Sequence, residues 1–68
     1  MPLNWVVIER VLLDLRLNAA DIDRTSKLAK KHAYTGNGKF LRKRVAEIES
    51  RYEALTQCME DLRRLMEE

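Results

Sequence analysis

The clearest chemistry in this sequence is a run of basic side chains that would attract negative charge. Between Arg24 and Ala46 the chain carries eight lysines and arginines and no acidic residue. They are Arg24, Lys27, Lys30, Lys31, Lys39, Arg42, Lys43 and Arg44. Because the whole chain has a formal charge of only +2, the remaining residues carry the difference, a net charge of −6. Such segregation predicts either a polyanionic partner or pairing with opposite charges on another chain.

Side chains that support catalysis or metal binding are few and scattered. His32 is the only histidine, and it has no cysteine or second histidine at metal-ligand spacing. Glu49 and Glu53, like Glu60 and Asp61, fall on what the periodicity predicts to be a solvated helix surface. We therefore expect no enzymatic activity, no metal site and no cofactor.

A glycine-containing segment, Tyr34 to Gly38, carries the strongest turn signals. Lys39 follows it, but a nucleotide-binding loop of the Walker type would need a glycine at Ala33 and a serine or threonine at Phe40. We therefore exclude nucleotide hydrolysis. Backbone N–H groups at the start of the next helix, beside Lys39 and Arg42, could still hold one phosphate of a nucleic-acid backbone.

The element that positions most of these groups is a long C-terminal helix. Eight large apolar residues recur at alternating steps of four and three, the a/d heptad repeat of a helix packed along one seam. They are Leu41, Val45, Ile48, Tyr52, Leu55, Met59, Leu62 and Met66. With Val45 counted as a, Cys58 and Leu65 fall at g and widen the stripe. A stripe of this width suits a bundle that receives both another part of the chain and a partner chain.

The N-terminal segment, about residues 3–17, predicts a first helix with a broad apolar stripe. Pro2 suits its first turn. Trp5 is in register with Ile8 and Leu12, so it is predicted to anchor the core.

A break is predicted at Asn18 to Asp23, because Asn and Asp can end one helix and cap the next. A short basic helix would follow over about 22–34, and the long helix over about 38–67. The predicted fold is therefore all-α, a single domain over residues 1–68, with a short helical hairpin plus the long heptad helix. Homodimerisation would complete a helical bundle.

The segment from Ser26 to Ile48 looks like a helix-turn-helix. Leu28 and Ala29 would fill the buried aliphatic and small positions of its first helix, and Leu41 would help to seat its second. In this interpretation Lys39, Arg42 and Lys43 face DNA, with Lys31 as a further candidate, some on phosphates and one or two on base edges. The predicted nucleic-acid-binding surface as a whole comprises seven basic side chains. They are Lys27, Lys30, Lys31, Lys39, Arg42, Lys43 and Arg44. The alternative for the same segment is a plain helical hairpin with a basic surface.

Chain length favours self-association. A domain of 68 residues buries only about 60% of the surface of its unfolded chain, and one cysteine, Cys58, allows no internal disulfide. The predicted oligomer interface lies along the heptad stripe and comprises Val45, Ile48, Tyr52, Leu55, Met59, Leu62 and Met66. The lone thiol and the charges within the apolar N-terminal run predict a soluble cytoplasmic protein without a membrane segment.

These observations together favour a small, non-enzymatic, homodimeric DNA-binding regulator. The alternative is a protein–protein interaction module, such as an adaptor, inhibitor or assembly factor, that binds an acidic partner surface or partner helices.

Overall fold

The computed structural model describes residues 3–67, which form two antiparallel α-helices joined by a tight turn. Helix α1 spans Trp5–Tyr34 and helix α2 spans Gly38–Met66. The molecule is a rod of 54 × 14 × 11 Å. Its radius of gyration is 15.7 Å, whereas a compact domain of this length would have about 11 Å. The predicted role of Pro2 in the first turn lies outside the described residues.

The chain is all-α, as predicted, but the prediction of three helices is wrong. No break separates a first helix at about 3–17 from a second at about 22–34, because α1 is continuous through both. The long C-terminal helix begins at Gly38 as predicted. The architecture is therefore a single helical hairpin.

The packing register of α1 explains why the predicted break is absent. From Ile8 onward, buried or half-buried residues recur at steps of three and four without a skip. They are Ile8, Val11, Leu15, Asn18, Ile22, Thr25, Ala29 and His32. A kink would move half of this strip away from α2, and the absence of glycine and proline within α1 leaves nothing to impose one.

The residues predicted to cap a new helix bond within α1 instead. The side-chain amide of Asn18 donates to the carbonyl oxygen of Asp14 at 2.9 Å. Asp21 pairs with Arg24 at 2.6 Å and Asp23 pairs with Lys27 at 3.2 Å, at the i,i+3 and i,i+4 spacings that support a helix. Their carboxylates therefore serve the helix surface and not an N-terminus.

The turn is set by three residues between the helices. Gly36 has a φ of +72°, the left-handed conformation that favours glycine. The N–H of Asn37 donates to His32 O at 2.8 Å and that of Gly36 to Ala33 O at 3.2 Å, which is the Schellman pattern of a helix end. Asn37 Oδ1 accepts from the Phe40 N–H at 3.3 Å and so caps α2. One asparagine thus ends α1 and begins α2.

The two helices pack along one seam, and the core that results is thin. Among residues 3–67, only Ile8, Ala29 and Leu62 are buried hydrophobic side chains. Trp5 is 65% exposed, so the prediction that it anchors the core is wrong for the single chain. Because a hairpin has no third element to lie over the outer sides of its helices, their apolar residues face solvent.

Candidate interaction surfaces

The a positions of the α2 heptad lie at the edge of its contact with α1 and are largely exposed. Val45, Tyr52, Met59 and Met66 are between 39% and 64% exposed, whereas the d residue Leu62 is buried. A single antiparallel helix covers the d and g positions of α2. The a residues then lie about 75° round the helix from the centre of that contact, at its edge.

Helix α1 carries a matching row of uncharged residues at the same seven-residue spacing. Trp5 is followed by Leu12, Ala19, Ser26 and Ala33, and all five are exposed. Ser26 is the only polar member, and its hydroxyl donates to the carbonyl oxygen of Asp23 at 2.9 Å. Because that donor is already satisfied, the row can be covered by a partner without leaving an unpaired hydroxyl.

The hairpin has two broad sides, and the contacts on one of them show which rows of α1 and α2 lie next to each other. There Arg51 Nε of α2 lies 3.6 Å from Asp21 Oδ2 of α1. Asp21 and Glu47 line one shallow depression on this side, and Val7 and Asp61 line another. This side carries carboxylates from both helices beside the apolar Val7, Val11 and Leu65.

The two uncharged rows therefore share the other broad side. Val7 and Asp61 mark the side that carries the carboxylates. Trp5 lies two positions before Val7 and Met59 two positions before Asp61, and two positions correspond to about 200° around a helix, so both residues lie on the other side. The same offset applies to every member of both rows. We call this surface the open face, and it comprises Trp5, Leu12, Ala19, Ser26, Ala33, Val45, Tyr52, Met59 and Met66.

The accessible surface of the chain is large for its mass. It amounts to 5696 Å², whereas a compact monomer of 8.0 kDa exposes roughly 4,500 Å². The elongated shape and the exposed apolar rows account for an excess of about 1,200 Å².

The structure divides the predicted oligomer interface in two. Its a members lie on the open face. Its d members, Ile48, Leu55 and Leu62, are half-buried or buried in the seam with α1. The heptad period identified both groups, but it could not separate residues that pack within the chain from residues left free.

The second surface is the end of the rod at the turn, where the predicted nucleic-acid-binding residues lie. Six of the seven are exposed and one, Arg44, is half-buried in the seam. Lys30 and Lys43 are each six or seven residues from Gly36, so they lie within about 10 Å of the turn along the rod. The structure thus brings together residues from both helices around one tip.

Two of these seven residues are paired with carboxylates of the chain itself. Lys27 Nζ lies 3.2 Å from Asp23, and Arg44 contacts Glu47 at 3.1 Å. Their spacings of four and three along a helix could have been recognised in the sequence. No ion pair within residues 3–67 involves the other five, which we call the basic end: Lys30, Lys31, Lys39, Arg42 and Lys43.

An exposed tyrosine that sequence reasoning assigned only to the turn also lies at this end. Tyr34 is 93% exposed. With Lys27, Lys30, Lys31 and Thr35 it lines a shallow depression on the outer side of α1. An aromatic ring among lysines is the pairing on which nucleic-acid bases stack while the cations contact phosphates.

The helix-turn-helix interpretation of Ser26 to Ile48 is wrong as a matter of geometry. Such a unit needs a short helix followed by a second helix at roughly 90–120° to it. Here the residues before the turn belong to a 30-residue helix that runs antiparallel to α2. The alternative, a plain helical hairpin with a basic surface, is what the structure has.

The remaining candidate groups lie apart from one another. His32 is half-buried and stacks on Phe40 with ring centroids 5.5 Å apart. Cys58 is a half-buried free thiol in the seam. Among residues 3–67, no three His, Cys, Asp or Glu side chains come together where they could hold a metal ion.

Comparison with known proteins gives no further guide. No family model, curated protein or solved structure matches this chain. In the part of the chain that the structure describes, neither helix has a stretch long and apolar enough to cross a membrane.

Proposed function

We propose that this protein is a non-enzymatic interaction module that packs its open face against helices of a protein chain. The observation that carries the proposal is the face itself, which runs along both helices of a 54 Å rod without a charged residue. On it Trp5, Tyr52 and Met66 are each more than 60% exposed. Exposed apolar surface of this extent is typical of interaction sites, because monomers rarely leave it in contact with water.

The spacing of the open face favours helices as its partner. Its members recur every seven residues on both α1 and α2. Two antiparallel rows of this kind form a groove whose holes are spaced to receive the side chains of another heptad. An extended peptide would instead need unpaired backbone groups, and a helix surface has none to offer along its middle.

Site-specific photo-crosslinking tests this proposal. A photoreactive phenylalanine derivative placed at Tyr52 is expected to crosslink to a protein in living cells. The same group at Glu53, one residue further and on the outer side of α2, serves as the matched control and should give little product. Equal labelling from both positions, or none from Tyr52, would contradict the proposal.

A second candidate function, binding of nucleic acid, is supported by the basic end. Five cationic side chains and the exposed Tyr34 lie around one tip, and none of the five is paired with a carboxylate among the described residues. If all five reached phosphates, the logarithm of the affinity for a duplex would fall with the logarithm of salt concentration at a slope of about −4.5.

Titration of labelled random-sequence oligonucleotides at two salt concentrations tests the second function. The double variant Lys31→Glu/Lys43→Glu reverses two charges away from the open face and should reduce the slope by about 2. The matched control, Arg10→Glu/Arg64→Glu, makes the same change at the other end of the rod. Equal losses in both variants would show a general charge effect and no site.

A further inference from the structure

We propose that a second copy of this chain covers the open face, with the two hairpins antiparallel, and that the product is a four-helix bundle. This inference rests on the proposed function and names the partner of that surface. The arrangement is related by a two-fold axis perpendicular to the rod, so that α1 lies against α1 of the second copy and α2 against α2.

The area available matches the requirement of a stable dimer. A face 54 Å long and 14 Å wide offers roughly 750 Å² per copy, and a standard interface buries about 800 Å² per partner. Small residues occupy the middle and far end of the α1 row, namely Ala19, Ser26 and Ala33. They allow close approach of two α1 helices, because their side chains add little bulk between the backbones.

The distribution of charge along the rod selects the antiparallel orientation. Residues 24–46 around the turn carry +8 and the rest of the chain carries −6. Parallel hairpins would place two basic ends side by side. Antiparallel hairpins instead place residues 24–46 of each copy over residues 5–15 and 59–67 of the other, which carry a net charge of −2, so the overall contact is attractive.

Individual charges at the edge of the open face on α1 support the same orientation. This edge repeats every seven residues through Glu9, Arg16, Asp23 and Lys30. When two α1 helices run antiparallel about their midpoints, Glu9 faces Lys30 of the second copy and Arg16 faces Asp23 of the second copy. The two-fold axis generates each pair twice, and all four contacts join opposite charges.

The corresponding edge of α2 contributes less. It runs through Arg42, Glu49, Thr56 and Arg63. In the antiparallel dimer Arg42 faces Arg63 of the second copy, a like-charge contact, and Glu49 faces Thr56. Two repulsive contacts therefore oppose four attractive ones.

The parallel dimer fails the same comparison. A two-fold axis along the rod leaves the position of each residue along the rod unchanged. Helix α1 then lies against α2 of the second copy, and the residues that face each other are those that are level with each other within one hairpin. Asp23 would then face Glu49 of the second copy, and Lys30 would face Arg42. Four contacts would join like charges, and only Glu9 with Arg63 would join opposite ones.

Sedimentation of the purified 68-residue chain is the first part of the test. We expect a mass of about twice 8.0 kDa at concentrations of tens of micromolar, as is common for interfaces of this size. Tyr52→Glu should shift the chain to a monomer, whereas Glu53→Gln should not. Far-ultraviolet circular dichroism of Tyr52→Glu at low temperature checks that its helices persist.

Disulfide trapping in a Cys58→Ser background is the second part of the test, and it determines whether the two hairpins of the dimer are antiparallel or parallel. An oxidised mixture of Glu9→Cys chains and Lys30→Cys chains should form a mixed covalent dimer. A mixture of Glu9→Cys chains and Arg63→Cys chains is the matched control, because only the parallel dimer brings those positions together. Within one chain residues 9 and 30 are about 31 Å apart along α1, so an internal bridge is impossible.

Each outcome decides the inference. A dimer with the 9–30 product supports it, and the 9–63 product alone overturns the orientation. A monomeric wild-type chain overturns it altogether. If that monomer still crosslinks through Tyr52 to a different protein in cells, the proposed function stands while this inference fails. If the wild-type chain dimerises and Tyr52→Glu does not dissociate it, the open face is not the dimer interface and this inference fails, while crosslinking from Tyr52 still decides the proposed function.

Discussion

Helix α2 carries two apolar stripes of equal length, and only one is covered. Leu41, Ile48, Leu55 and Leu62 form the d stripe, which packs along α1. Val45, Tyr52, Met59 and Met66 form the a stripe, which faces solvent. Both repeat every seven residues. One is covered and the other exposed because the hairpin supplies only one neighbouring helix. That helix covers one edge of the apolar side of α2 and leaves the other edge in contact with solvent.

The covered stripe therefore explains why the chain is a hairpin. The exposed stripe is the basis of the proposal that the hairpin packs against other helices. The seam alone buries very few side chains completely, so a single hairpin of this size has a small margin of stability. Covering the open face would add apolar burial on both helices without changing either. Under the proposed function, binding and stability are therefore coupled through one surface.

The largest effect is expected when a carboxylate is introduced into the covered stripe, because that stripe is packed in the seam within one chain. Leu55→Asp places a charge in the seam and should cost about 3 kcal/mol of unfolding free energy. The loss should appear at every protein concentration, because the seam is intramolecular. Thermal unfolding followed by circular dichroism measures it. Ala46→Asp, at an exposed position on the outer side of α2, is the control, and equal losses in the two variants would show that the seam is wrongly located.

A second prediction concerns the open face and uses the single tryptophan of the chain. Trp5 is 65% exposed in the hairpin, so association should bury its ring, shift its emission to shorter wavelength and reduce quenching by iodide. Dilution should reverse both changes. Tyr52→Glu should keep the dilute-state spectrum at all concentrations, while Glu53→Gln should behave as wild type. A concentration-independent spectrum in the wild-type chain would contradict burial of this face.

The sequence allowed the covered and exposed stripes to be found but not to be told apart. A heptad period reports that a helix has apolar residues along one side, and it contains no information on how many helices will lie there. Trp5 illustrates the limit. Its register with Ile8 and Leu12 correctly predicted a shared apolar side, yet Ile8 is buried and Trp5 exposed, because the hairpin covers only the inner edge of that side.

Residue types that favour turns and helix ends predicted the structure correctly only where the packing between the two helices allowed a turn. Gly36 and Asn37 lie in the predicted turn, and Asn37 caps α2. The predicted break at Asn18 failed because the packing strip of α1 runs straight through it. Asn and Asp favour helix ends only when the chain is free to turn, and here the alignment with α2 holds a continuous helix.

A third prediction concerns the two glycines at the junction between the helices, which should respond differently to substitution by alanine. An alanine side chain would meet no atom within 4 Å at either position. Gly36→Ala forces a left-handed φ on a residue with a Cβ and should cost about 1 kcal/mol. Gly38→Ala lies in the first turn of α2 and should be neutral or stabilise by roughly 0.5 kcal/mol. Chemical denaturation measures both, and equal effects would contradict the role of the left-handed turn.

The smallest expected effect concerns the edge of the open face. Arg16 and Asp23 are seven residues apart on α1 and do not contact each other within the chain. In the antiparallel dimer they meet across the two-fold axis. Arg16→Asp should therefore weaken dimerisation by about 1 kcal/mol for the two symmetric contacts, roughly fivefold in Kd. Asp23→Arg should weaken it similarly.

The double variant Arg16→Asp/Asp23→Arg exchanges the two charges and should restore the wild-type Kd to within about twofold, because every lost pair is remade in reverse. Restoration would be specific to the antiparallel dimer, since in the parallel one Arg16 faces Thr56 and Asp23 faces Glu49, so that no exchange between them could compensate. Arg10→Asp, which alters the same charge away from the open face, is the control. Near 1 M salt, where the screening length is about 3 Å, the single variants should approach wild type. A double variant as weak as the sum of its parts would show that these residues do not meet, and the open face would then require a different partner or a different alignment.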